Sequence, residues 1–262
     1  MLGKLIKHEF KDTMRLFLPI FGLIAVLTPV FSLMMSLGSK YDGVSDDAVY
    51  GLDLVFGSGI AGYLLLLFGL MIVTQILIVI RFYRTMATKE AYLTFTLPAK
   101  THAILFSKWL VSMIWYIIAC ILAVSSVFAV LLIATPVTMD HISTVFSSIF
   151  KFLNYEDFFT LTLLALFILI SLSVTILRMY TSVMIGQLAK THRVALSIGV
   201  YLGLSQGLQI IFAMLSIPFF ILFPDIDNVN LILAICCVGY GVLSAAFYVV
   251  TYYLTSKKLN IK

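Results

Sequence analysis

Two residue patterns in this chain could do chemistry, and both are incomplete. The histidines, the usual acid–base and metal-binding side chains, are His8, His102, His141 and His192. They are predicted to lie in loops, far apart and without metal-ligand spacing. The glycine-rich stretch GSGIAGYL at 57–64 lacks the lysine that reaches a phosphate in a nucleotide-binding loop. We therefore expect no catalytic site, no metal and no cofactor on this chain.

The composition is that of a membrane protein. Of the 262 residues, 62% are hydrophobic and 11% are charged, whereas soluble domains have about 45–50% and about 25%. The three cysteines lie inside apolar runs, where they pack as small hydrophobic residues. Although the net charge is +5, the charges are separated by membrane side and form no patch, so we expect no nucleic-acid partner.

Six segments are apolar enough to cross a hydrocarbon core, which takes about 20 residues in a helix. None of them contains Asp, Glu, Lys or Arg, and they cover residues 16–37, 58–80, 109–134, 158–177, 194–223 and 229–256. The predicted fold is therefore an all-α membrane protein, with a six-helix transmembrane domain over 16–256.

The basic residues predict the orientation of this domain. If the N-terminus is cytosolic, fifteen of the seventeen basic residues face the cytosol, and only Lys40 and Lys151 lie outside. Basic loops stay on the cytosolic side of a membrane. We expect a multi-pass protein of the cell membrane with both termini cytosolic, including a tail at 257–262.

The segment before the first span has an amphipathic pattern. Its apolar residues recur at helical spacing, with basic residues between them, and are Leu2, Leu5, Ile6, Phe10, Met14 and Phe17. This pattern predicts that residues 1–15 form a helix lying in the inner membrane interface. The alternative is a frayed basic tail.

Polar and small residues within the spans mark surfaces that avoid lipid. Gln75, Gln206 and Gln209 must face protein or water, so they either bond neighbouring helices or line a translocation path. Three glycines at four-residue intervals, Gly199, Gly203 and Gly207, allow close helix packing, within one chain or between two. Arg178 would lie within the membrane only if the fourth helix continues towards Leu188; otherwise it extends to the headgroups.

A polar cytosolic segment separates the second and third spans. This loop, at 81–108, includes the sequence KEAYLTFTLPAK. Ala91, Tyr92, Phe95 and Leu97 would form one side of a short helix that ends before Pro98. Exposed aromatic residues on such a helix are typical of a docking surface for a soluble partner.

The order of Glu90, the run AYLTFTL, Pro98 and a helix start reaching Lys108 resembles the coupling-helix region of type 2 ABC exporter permeases. The cytosolic termini, the interfacial helix, the six spans and the missing nucleotide site are similar to small bacterial permeases of that family. The resemblance implies separate ATPase subunits, which bind Mg-ATP, and a second permease subunit, identical or related.

By the same resemblance, Glu90, Tyr92, Phe95 and Pro98 transmit force from the ATPase. The segment GQLAKTHR, with Lys190 and His192, would make a secondary contact. The expected substrate is an amphipathic or hydrophobic peptide, lipid or drug. The alternatives are an ATP-independent channel or carrier, and a peptide-binding immunity or scaffold protein.

Overall fold

The chain is all-helical wherever its structure is described. A computed structural model describes residues 2–38, 46–87, 101–134, 155–189, 191–222 and 229–257. The helices, in chain order, are α1 (Leu2–Gly38), α2 (Asp46–Ala87), α3 (Thr101–Ala134), α4 (Tyr155–Gly186), α5 (Arg193–Leu222) and α6 (Val229–Lys257). These ranges contain no β-strand, as the sequence predicts for them.

Each of the six helices contains a segment long and apolar enough to cross a membrane. The mean hydropathy of these segments runs from 1.5 to 2.7, and at most 33% of the residues in the most apolar window of each are buried. Large apolar side chains therefore point outwards, where lipid can cover them. The prediction of six spanning helices is confirmed, and the chain is a multi-pass membrane protein.

Several helices are longer than the predicted spans. α2 begins at Asp46, twelve residues before the predicted span 58–80, and its first turn has two aspartates, which favour a helix start. α3 begins at Thr101, a residue type preferred at helix N-termini. Residues 81–87 and 101–108 of the expected coupling loop are therefore helical. The short helix expected before Pro98 lies outside the described residues.

The N-terminal segment and the first span form one helix. α1 runs from Leu2 to Gly38 without a break at residue 15, and it contains Pro19 and Pro29. A location of residues 1–15 in the inner membrane interface stays a prediction. His8 and His102, which we expected in loops, lie in α1 and α3 because these helices begin earlier than their apolar runs.

One compact unit comprises Met1–Glu9, Ile78–Met113 and Asn154–Lys262. Tyr180 of α4 is at its centre and is 1% exposed. Its ring stacks on Phe82 of α2 with centroids 3.8 Å apart. Its hydroxyl donates to the Lys108 carbonyl at 3.3 Å and shares a 2.7 Å hydrogen bond with Ser112 of α3. A single tyrosine thus ties α4 to two other helices.

Hydroxyl groups connect α4 to α6 within the same unit. Thr181 and Thr251 share a hydrogen bond of 2.8 Å, and both residues are buried. Ser173 and Ser244 lie 2.9 Å apart, and Ser173 also accepts the indole N–H of Trp109 at 3.1 Å. Small hydroxyl residues allow close helix approach and satisfy one another where water is absent.

The other compact unit comprises Phe10–Leu77 and Ile114–Leu153. Trp115 of α3 stacks on both Phe10 and Phe17 of α1, with centroids 5.0 and 4.8 Å away. These two phenylalanines lie seven residues apart, so they share one face of α1. Tyr63 of α2 stacks on Phe31 and shares a 3.2 Å hydrogen bond with Thr28.

The connection from α4 to α5 depends on a close backbone approach at Gly186. A Cβ atom added there would lie 2.9 Å from the Arg193 carbonyl oxygen, 2.8 Å from Ser197 Cβ and 1.9 Å from Ser197 Oγ. Ser197 Oγ itself donates to the Arg193 carbonyl at 2.9 Å. Only glycine fits at this position without a shift of α5.

We predict that Gly186→Ala lowers the free energy of unfolding by about 1–3 kcal/mol, because the new methyl group overpacks the α4–α5 connection. Thermal unfolding of the detergent-solubilised protein measures the change. Gly62→Ala is the matched control, since a Cβ at Gly62 meets no atom of the described chain within 4 Å. Equal melting temperatures for the two variants would contradict the close approach.

Candidate functional site

The predicted ATPase-coupling residues lie mostly outside the described part of the chain. Glu90, Tyr92, Phe95, Pro98 and Lys190 all fall there. What the structure describes is the pair of helix ends from which segment 88–100 extends, the end of α2 at Ala87 and the start of α3 at Thr101.

A cluster of three charged residues, the Glu9 cluster, joins these two helix ends. Glu9 of α1 lies 3.4 Å from the guanidinium of Arg81 on α2, and it accepts a hydrogen bond from the ammonium of Lys108 on α3. Arg81 is six residues before the end of α2, and Lys108 is seven residues after the start of α3. One carboxylate therefore bridges the base of segment 88–100.

The three side chains of the Glu9 cluster are largely shielded from water, which raises the contribution of the bridge to stability. The Lys108 side chain is 4% exposed, Glu9 15% and Arg81 22%. An ammonium group so shielded from water is stable only beside a compensating charge, because removing one partner of a buried pair costs about 3–5 kcal/mol. This cluster was not predicted, because a glutamate within a basic amphipathic stretch indicates an ion pair but does not identify partners so distant in the sequence.

His192 is the described member of the predicted secondary contact. It is exposed and has a left-handed backbone with φ of 55°, a conformation in which histidine is enriched among non-glycine residues. Its carbonyl accepts the Leu196 N–H at 3.0 Å. The histidine thus lies at the tight turn that begins α5, with its side chain accessible to a partner.

The three glutamines have different environments. Gln75 Nε2 of α2 donates to the Tyr116 hydroxyl of α3 at 2.7 Å, within one compact unit. The sequence left two roles open for Gln75, and this geometry fits the first, a hydrogen bond between neighbouring helices. Gln206 and Gln209 are both exposed on α5, and Gln209 also lines a cavity in the other unit.

This cavity, the Arg178 cavity, has a volume of about 410 Å³ and lies between α4, α5 and α6. α4 continues to Gly186, so Arg178 is within the helix and eight residues before its end. The guanidinium Cζ lies 5.2 Å from the ring centre of Tyr201, a cation–π distance. The polar lining residues are Ser171, Thr175, Arg178, Ser205, Gln209 and Tyr240.

The glycine face of α5 lies on the side away from the cavity. A Cβ atom at Gly199, Gly203 or Gly207 would meet no described atom within 4 Å. Phe212, which lines the cavity, lies nine residues after Gly203, or about two and a half turns. Packing of these glycines within the chain is therefore not observed among the described residues.

No protein-family model matches this chain, and comparison with curated proteins and with solved structures returns no significant match.

We predict that Glu9→Ala lowers the free energy of unfolding by about 3 kcal/mol, because the buried Lys108 ammonium and the Arg81 guanidinium both lose the Glu9 carboxylate. Thermal unfolding in detergent measures the loss. Lys11→Ala, at an exposed position of the same helix, should change the free energy by no more than about 0.5 kcal/mol. A Glu9→Ala protein as stable as the Lys11→Ala protein would show that the bridge contributes nothing.

We further predict that Gln75 and Tyr116 are energetically coupled. In a double-mutant cycle of Gln75→Leu and Tyr116→Phe, the coupling should be about 0.6–1.7 kcal/mol, the usual range for hydrogen bonds between membrane helices. Additive losses of stability would reject the bond. If Gln75→Leu changed the range of transported substrates without lowering stability, Gln75 would instead be assigned to a translocation path.

Proposed function

We propose that this chain is the membrane-spanning permease subunit of an ATP-driven exporter of the type 2 ABC class. It moves an amphipathic or hydrophobic substrate across the cell membrane. The energy comes from Mg-ATP hydrolysis on separate ATPase subunits that bind segment 88–100 on the cytosolic side.

The Glu9 cluster is the observation that supports this proposal most directly. A docking segment can move spanning helices only if its two ends are firmly attached to them. The cluster provides such an attachment, because one carboxylate on α1 bonds cations on both α2 and α3. A displacement of segment 88–100 would then move three helices together.

The open face of α5 supports the presence of a second permease subunit. No residue in the most apolar window of α5 is buried, and Gln206 is exposed beside the open glycines. A glutamine amide at membrane depth needs a hydrogen-bonding partner, since lipid provides none. Packing of a second permease against Gly199, Gly203 and Gly207 would cover this face and let Gln206 bond across the interface.

An ATP-independent carrier is the second candidate, and Arg178 is the observation that favours it. Ionisable residues within spanning helices are typical of transporters that balance charge during transport. The two candidates differ in whether a partner ATPase binds. An ATPase with a nucleotide-binding loop, encoded beside this chain, would favour export.

We predict that the double variant Tyr92→Ala, Phe95→Ala abolishes co-purification of that ATPase, because the proposed docking surface loses both of its aromatic rings. The variant should still fold, which its unfolding temperature checks. Thr94→Ala, in the same segment, is the control and should retain the ATPase.

The docking roles of Tyr92 and Phe95 would be rejected if the double variant retained the ATPase and if ATP hydrolysis stayed coupled to transport. Failure of any ATPase to bind even the unmodified chain would favour the carrier.

A further inference from the structure

The Arg178 cavity combines a permanent charge with a position deep in a spanning helix. Arg178 lies inside the candidate membrane span Phe158–Gly186, eight residues before its end. A guanidinium is a permanently charged donor, and a charge within a spanning helix needs a balancing partner.

The side chain extends across the helix pair and not along it. Arg178 is eight residues before the end of α4, and Tyr201 is eight residues after the start of α5. The two residues are therefore at similar depths, and the guanidinium contacts the Tyr201 ring at its own level. From the sequence, the Arg178 side chain could also have extended along α4 to the lipid headgroups, and the observed contact with Tyr201 differs from that alternative.

Within the described chain, the guanidinium has no negative partner. The ion pairs found there join Glu9 to Arg81 and to Lys108. The buried Nε of Arg178 donates no hydrogen bond to any described atom. Among the described residues the guanidinium therefore has neither a negative partner nor, at its buried Nε, a hydrogen-bond acceptor.

The cavity walls favour an anion over a cation. The hydroxyls of Ser171 and Thr175 already donate to backbone carbonyls of their own helix. Arg178, Ser205, Gln209 and Tyr240 supply the remaining donors. A guanidinium matches the two oxygens of a carboxylate or phosphate.

The apolar part of the lining suggests what the anion is attached to. Leu208, Phe212 and Leu243 share the cavity with these donors. Its volume of about 410 Å³ is within the range of about 300–1,000 Å³ that is typical of small-molecule sites. An amphiphile could place its charged group at Arg178 and its hydrocarbon against these side chains.

We infer that the Arg178 cavity binds an amphiphile through a carboxylate or phosphate group. The occupant is either a bilayer lipid or a free single-chain amphiphile, since both carry the same anionic group. The site requires the spanning helices but no ATPase, so its failure and that of the proposed export function are separable.

Equilibrium binding to the purified full chain in detergent tests the site. The probes are tetradecanoate, tetradecyl phosphate and, as the uncharged match, tetradecanol. We expect both anions to bind the unmodified chain at one site. Arg178→Gln should weaken both by at least about tenfold, as expected for loss of a charge-assisted bidentate bond. Arg15→Gln, the same charge change at an exposed position without a described contact, should bind like the unmodified chain.

A second readout separates binding from a structural role. Because Arg178 has no described carboxylate partner, Arg178→Gln should leave the melting temperature of the empty protein unchanged or raise it. Should that variant not fold, the double variant Ser205→Ala, Gln209→Leu should weaken anion binding while keeping the charge. Anion binding unaffected by either variant, or tetradecanol binding as tightly as tetradecanoate, would overturn the inference.

Native mass spectrometry of the chain in nanodiscs of phosphatidylcholine and phosphatidylglycerol distinguishes the two sources. Retention of phosphatidylglycerol by the unmodified chain but not by Arg178→Gln would identify a bilayer lipid as the occupant. Equal retention by both, with tetradecanoate binding still dependent on Arg178, would identify a free amphiphile.

Discussion

The Glu9 carboxylate is the constraint on which the proposed mechanism depends. It holds a nearly buried ammonium from α3 and a half-buried guanidinium from α2 within bonding distance of α1. Such a bridge is stabilising only while the carboxylate stays beside both cations, so the three helices must keep their positions together at this point. In the proposed mechanism, this bridge anchors the two helix ends from which the segment between α2 and α3 extends, so that a partner bound to the segment could act on membrane helices from one side.

The membrane explains why polar residues are so few and so specifically placed. Gln75 meets a tyrosine hydroxyl, and Thr181 meets Thr251, because a polar group in hydrocarbon must find a partner in protein. α5 is the exception, since its glycine face and Gln206 meet no described neighbour while its other side lines the Arg178 cavity. A helix with two such different faces is suited to contact a second subunit on one side and a ligand on the other.

The number of helices could be predicted from the sequence because a run of about 20 apolar residues is a strong local signal. Helix ends could not, since α2 extends into a charged stretch and α3 begins among polar residues. The Glu9 cluster was also inaccessible, because it joins residues 72 and 99 positions apart. That Gln75 needs a hydrogen-bonding partner could be predicted from its place in an apolar run, but only the fold identified Tyr116 as that partner. The depth of Arg178 depended on where α4 ends, which no residue pattern defined.

Sided labelling of segment 88–100 tests the central claim most directly. A single cysteine replaces Thr94 in a chain whose Cys120, Cys236 and Cys237 are changed to alanine, and a membrane-impermeant maleimide is applied to intact cells and to inside-out vesicles. The account predicts labelling in inside-out vesicles alone, because an ATPase can act on this segment only from the cytosol. Labelling of intact cells would contradict it.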